Sequence, residues 1–146
     1  MTSVRARPQR LRRVCWVSAA AIIVAFCGLA LTLRQRDDHG VVFHTGDQVA
    51  MAGLGVLLAL GVLAFTRPSV EADERHIRIR NVIGAYDLPW ELVRSVRFDR
   101  GSPWVTLDLA DDDQVAVMAV QAADKGYALT AVTGLRELLA ASRAPE

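Results

Sequence analysis

Cysteine is scarce. Only Cys15 and Cys27 occur, both inside one uncharged stretch. Twelve residues apart on a helix, they stand about 18 Å from each other. That excludes a bond between them and leaves them as small apolar residues. Lysine is scarcer: Lys125 stands alone against sixteen arginines. The formal net charge is only +1, and aromatic residues do not interleave with the arginines, so no nucleic-acid partner is expected. Catalytic signatures are also missing. The chain has no Gly-rich phosphate loop, nucleophile elbow or Cys–His constellation. Ser95 and Ser102 have no base in view. Asp111, Asp112 and Asp113 lack the sixth-position glycine and closing glutamate of a calcium loop. His39, His44 and Asp47 do not follow zinc-ligand spacing. The expectation is a protein that is not an enzyme, with no cofactor and no metal.

Long apolar runs, by contrast, are plentiful. Residues 14–33 and 49–65 carry no charge. A bilayer core of roughly 30 Å needs about 20 helical residues, and inside lipid the backbone must satisfy its own hydrogen bonds. Both runs are therefore expected as helices of a transmembrane hairpin. The first run exceeds the length of a signal-peptide core and is expected to be retained. Arg5, Arg7, Arg10, Arg12 and Arg13 precede it, whereas Arg34 and Arg36 follow it among Asp37, Asp38 and Asp47. The more basic side stays in the cytoplasm, so both termini are placed there. The layout is a basic and unstructured cytoplasmic tail at 1–13, spans at 14–33 and 49–66, an external loop at 34–48, and a soluble domain at 67–142. Small residues recur at helical spacing, Ala21 with Ala25 and Gly55 with Ala59. They would pack the hairpin against itself or, as a second use, make a homodimer.

Beyond Pro68 the periodicity changes to two. Ser69–Ala72, residues 77–80, 86–90, 103–109 and 115–120 are expected as short antiparallel strands, with 93–98 leading into another. Turns are expected at Asp73-Glu74, around Gly84 and at Asp111, Asp112 and Asp113. Asp124 is a candidate N-cap. After it Leu129, Val132, Leu135, Leu138 and Leu139 form one apolar helical face. The fold class is α+β: a two-helix hairpin, then an antiparallel β-barrel or sandwich capped by a C-terminal helix.

Strands followed by one helix is the order of pleckstrin-homology-like (PH-like) domains. Val70-Glu71-Ala72-Asp73, Ile77-Arg78-Ile79-Arg80 and Leu88-Pro89-Trp90-Glu91-Leu92-Val93-Arg94-Ser95-Val96-Arg97-Phe98 resemble small bacterial members. In particular they resemble the actinobacterial family called low molecular weight protein antigen 6 PH domain. Apolar spans before the module are also similar, and the resemblance covers roughly residues 66–141. Trp90 stands as a structural anchor on its own physics: a buried indole contributes a large apolar area and one N–H to satisfy.

The expected function is a non-catalytic binding or adaptor module held at the membrane surface, with lipids around its spans and a protein partner. One alternative is weak anionic-lipid headgroup binding through Arg75, His76, Arg78 and Arg80, since the last three alternate onto one strand face. The resemblance implies this loosely, because eukaryotic PH domains bind phosphoinositides through a basic cluster near the first hairpin. The other alternative is a structural subunit of a larger membrane complex.

Overall fold

The computed structural model describes residues 3–33 and 44–144. Most of the loop expected between the apolar runs, including Arg34, Arg36 and His39, lies outside them. The chain divides into two units, Leu11–Thr66 and a second made of Met1–Arg10 with Arg67–Glu146.

The first unit is a pair of helices, α1 (Gln9–Leu33) and α2 (Thr45–Ala64). Both are long and apolar enough to cross a membrane. Asp47 starts α2 by accepting a hydrogen bond from the His44 amide at 2.9 Å, and it also complements the helix dipole. Most large side chains on both helices are bare, among them Val17, Val24 and Leu31 on α1 and Val49, Leu57 and Leu60 on α2. Only narrow stripes are covered. Gly55 and Ala59 are buried on α2, as the small-residue spacing suggested. A Cβ at Gly55 would lie 2.6 Å from the Phe26 Cβ, so this approach requires glycine. On α1 the covered pair is Cys15 and Ala19. Ala21 and Ala25 are exposed instead, because their positions fall outside the face that carries Phe26.

The second unit contains two sheets. Strands β1 (Val4–Ala6), β2 (Ser69–Ala72), β3 (His76–Arg80) and β4 (Ala85–Pro89) form one, in that order; β5 (Val93–Arg97), β6 (Trp104–Leu109) and β7 (Gln114–Gln121) form the other. All pairings are antiparallel. The alternating inward residues of both sheets meet helix α3 (Gly126–Ser142) in one core that includes Val70, Ile77, Ile79, Val105, Leu107, Val117, Val132 and Leu135. The sheets stay open, so the fold is the sandwich and not the closed barrel. Period-two sequence becomes strand here because one face is buried and the other solvated.

Strand β1 was not anticipated. Residues 4–6 lie in the arginine-rich tail expected to be unstructured, yet Val4 pairs with Ala72, Arg5 with Glu71 and Ala6 with Val70. The domain's sheet is thus assembled from segments on both sides of the apolar helices. Ala6 joins the core at 2% exposure. Gly134 on α3 admits Val4, whose Cγ2 lies 2.7 Å from where a Cβ would stand. Asp124 also differs from expectation. It sits in a 3₁₀ turn (Ala122–Asp124) before α3, and its carboxylate accepts the amides of Gln9 (3.1 Å) and Arg10 (3.0 Å). It therefore caps the start of α1, while Lys125 occupies the cap position of α3. Leu129 is 60% exposed, and Ala128 and Ala131 supply that part of the buried face.

Candidate functional site

The outer face of the four-stranded sheet carries the basic residues singled out from sequence. His76, Arg78 and Arg80 are exposed while Ile77 and Ile79 are buried, as alternation requires. The register then separates them into two ends and a middle. Four residues of strand span about 13 Å, so His76 and Arg80 belong to different neighbourhoods.

The His76 end is a structural joint. The Asp73 carboxylate accepts the amides of Arg75 and His76, both at 2.9 Å. These bonds, the Arg75 amide first, hold its carboxyl below the ordinary value of 3.8. The Trp90 indole N–H donates to the Asp73 carbonyl at 2.7 Å, and the Trp90 amide donates to the Arg75 carbonyl at 3.2 Å. Trp90 is 1% exposed. The indole is thus buried, and its single polar atom is satisfied by the turn that precedes β3. Arg75 lies in that turn, exposed and apart from Arg80.

The middle of the face is a ladder of alternating charge. Register aligns Arg5, Glu71, Arg78 and Asp87 across four strands. Arg5 pairs with Glu71 at 3.4 Å and Arg78 with Asp87 at 3.3 Å. Arg78 is therefore compensated, which sequence could not reveal because both acids lie on other strands.

The Arg80 end is different. Arg7, Ser69, Arg78, Arg80 and Tyr86 line a shallow depression of about 430 Å³ with Glu71 and Asp87. Both acids are engaged by Arg5 and Arg78. Arg7 and Arg80 make no ion pair among the described residues. Arg7 follows β1, and nothing in its local sequence marks it as lining one depression with Ser69 and Arg80.

Sheet edges supply a second kind of surface, and three of the four are plugged by side chains. The Tyr127 hydroxyl lies 3.4 Å from both the Arg7 amide and the Arg5 carbonyl at the edge of β1. On β7, Asn81 donates to the Ala116 carbonyl at 2.8 Å and accepts the Met118 amide at 3.2 Å. On β5, Arg136 donates to the Val96 carbonyl at 3.1 Å, and Arg143 to those of Val93 and Arg94 at 2.9 and 2.6 Å. Such plugs block the addition of a foreign strand. Among the described residues β4 has no such plug, and Ile83 and Tyr86 are exposed beside it.

No catalytic constellation is assembled among the described residues. Ser95 donates to Asp108 at 2.6 Å, and the same carboxylate is taken up by Gln114 at 3.1 Å and Arg97 at 3.6 Å. Asp111 accepts the Asp113 amide and Asp112 pairs with Arg94, which makes this acidic run a hairpin turn.

Comparison with known proteins agrees with this architecture. The family model described as Bacterial PH domain matches residues 67–138. Uncharacterized proteins of Mycobacterium tuberculosis and Mycobacterium bovis are each 43% identical to this chain over 126 residues, covering 86% of it and 82% of their own length. No solved structure matches the chain. The matched segment begins at the linker before β2, so β1 lies outside it. With a family model that matches its sheet-and-helix domain and relatives 43% identical over 86% of its length, the chain belongs to the bacterial PH domain family.

Proposed function

We propose that this protein is a multi-pass plasma-membrane protein whose PH-like domain docks a protein partner at the cytoplasmic surface without catalysing a reaction. The observation that carries the placement is the β1–β2 pairing. Residues 4–6 precede both apolar helices and residues 69–72 follow them, yet their backbones are hydrogen-bonded. A membrane cannot pass between paired strands, so the tail and the domain share one side and the chain between them crosses an even number of times. The arginine bias then selects the cytoplasm. Bare apolar flanks on α1 and α2 support lipid as their cover, since a core helix would bury such residues.

The unplugged edge of β4 supports an extended segment of a partner protein as the docking element. The small-residue stripe of α2 faces Phe26 within the hairpin, which supports self-packing over a homodimer. Closer kinship with low molecular weight protein antigen 6 rests on the Pro89-Trp90 segment and on the order of helices and domain. A structural-subunit role differs from the adaptor role in stoichiometry.

The test is crosslinking in cells, followed by purification of the full chain from solubilised membranes through a tag after Glu146. A dominant protein partner that is lost when Asp87→Pro removes a β4 amide supports docking at that edge. Recovery of anionic lipid alone would overturn it. Reporter fusions at both termini that read the external side would overturn the orientation.

A further inference from the structure

Hydrogen-bond parity assigns each backbone group of β4 to one side of the strand. The Trp90 amide donates to the Arg75 carbonyl, and the Asn81 amide donates to the Gly84 carbonyl. These two pairs bracket β3 and β4, whose register aligns Ile77 with Leu88 and Ile79 with Tyr86. Bonded pairs alternate along an antiparallel ladder, so Tyr86 and Leu88 bond to β3. The N–H and C=O groups of Ala85 and Asp87, and the C=O of Pro89, therefore point to the free edge. Pro89 carries no amide, and an edge is where a strand tolerates that loss. Among the described residues no further strand receives these groups.

The side chains on both faces of that edge also lack neighbours. On the outer face, register sets Glu71 between Arg5 and Arg78. Asp87 ends the same row with Arg78 on one side only, and its side chain stays 58% exposed beside that partner. Charge alternates along the row, so a cation suits the next position. On the other face, register places Tyr86 and Leu88 with the core residues Ile79 and Ile77. Tyr86 is 44% exposed, and Leu88 is partly buried against the core. Both leave apolar area that incoming apolar side chains would cover. A second copy of β4 paired symmetrically about Asp87 would instead set two carboxylates opposite each other, which is unfavourable.

We propose that β4 receives an antiparallel segment of a partner protein with the pattern apolar–basic–apolar: an arginine or lysine opposite Asp87, with apolar residues opposite Leu88 and Tyr86. The proposal rests on the docking reading above and specifies the segment that this edge takes. The basic residue exchanges both backbone bonds with Asp87, and the residue two positions beyond it does so with Ala85. Opposite Pro89 the segment makes one bond, from its own amide to the Pro89 carbonyl. Main-chain bonds supply affinity, and the alternating side chains supply selectivity.

The test uses the full chain in detergent micelles and the fluorescent peptide Ser-Thr-Val-Arg-Val-Thr-Ser. Two further peptides carry glutamate at the centre or an N-methyl group on the central amide. Anisotropy reads binding, and amide exchange at Ala85 and Asp87 reads its place. The arginine peptide is expected to bind about fivefold more tightly than the glutamate peptide and to slow exchange at both amides. Asp87→Asn, which keeps the backbone and removes the charge, should erase that preference while binding persists. N-methylation of the central amide should abolish binding. Equal binding of the arginine and glutamate peptides, with Ala85 and Asp87 still protected, would overturn the pattern and leave edge docking standing. Absence of protection by any peptide at about 1 mM would overturn edge docking with it. Binding indifferent to N-methylation would overturn the antiparallel register. Protection that needs no peptide and rises with protein concentration would give the edge to a second copy and overturn the proposal.

Discussion

The two units spend the same residue types in opposite ways. In the domain, Val70, Ile77, Leu107 and Leu135 are sealed from solvent, and polar side chains line the outer face. In the helical unit, Val17, Val24 and Leu57 are bare and the covered positions are small: Ala19, Gly55 and Ala59. Water drives the first arrangement, since burying apolar area is what stabilises a soluble core. On the membrane reading proposed above, lipid covers the large apolar side chains and close backbone approach supplies the packing. The contrast teaches that hydrophobic content alone does not locate a core; what matters is whether the large or the small residues are covered.

Substitutions should break the comparison most strongly where the domain core is densest. Trp90→Ala removes an indole and orphans the Asp73 carbonyl, and is expected to cost about 3–5 kcal/mol. Urea unfolding in detergent, followed by fluorescence of the remaining tryptophans, checks it. Trp90→Phe keeps most of the ring volume and should cost less. In the helical unit the sensitive position is a glycine. Gly55→Leu forces its Cβ onto Phe26 and should weaken hairpin packing by about 1–3 kcal/mol. The measurement is loss of crosslinking between cysteines placed on α1 and α2. The same change at neighbouring Gly53, which has nothing within 4 Å, should be silent.

Asp124→Ala leaves the Gln9 and Arg10 amides without their acceptor and is expected to cost about 1 kcal/mol. Faster amide exchange in the first turn of α1, with α3 unchanged, would confirm which helix this residue caps.

Acid sharpens the comparison further. Asp73 titrates below 3.8 in the folded protein because the Arg75 and His76 amides hold its charged form. A lowered folded pKa contributes stability that is complete above the unfolded value and is lost as pH falls through the folded one. The domain should therefore weaken below about pH 4, and Asp73→Asn should flatten that part of the curve while far-ultraviolet dichroism of α1 and α2 stays constant. The smallest effect is expected on the charge ladder. Arg5 and Glu71 are solvent-accessible, and removing either should change stability by less than about 1 kcal/mol.

Sequence and structure agree where the signal is local. Alternation located β2, β3 and β6, and apolar runs located both long helices. The burial of Trp90 and its need for a hydrogen-bond acceptor were legible, although the acceptor at Asp73 was not. What escaped depends on partners distant in the chain. Residues 4–6 are three amino acids inside an arginine-rich tail, and their strand character exists only opposite residues 70–72. Asp124 stands where a cap of the nearest helix would, but the amides it serves lie more than a hundred residues earlier. Leu129 stands three residues before Val132 yet faces outward, because it lies to the side of the face that Ala128, Ala131, Val132, Leu135, Leu138 and Leu139 bury. Among the candidate face residues, spacing placed His76, Arg78 and Arg80 on one side correctly. It could not show that Asp87 neutralises Arg78, that Arg75 and His76 belong to the Trp90 joint, or that Arg7 joins Arg80.

The four-stranded sheet is completed by a strand that precedes the helical hairpin in sequence. The most direct test is a disulfide between Arg5→Cys and Glu71→Cys, which are register partners, in full chain lacking Cys15 and Cys27 and oxidised in native membranes. A protease site placed within residues 34–43 then cuts the chain between the helices. The predicted result is two fragments held together until reductant is added, with no change in apparent size before cleavage. Fragments that separate without reductant, or links formed only between different chains, would contradict it.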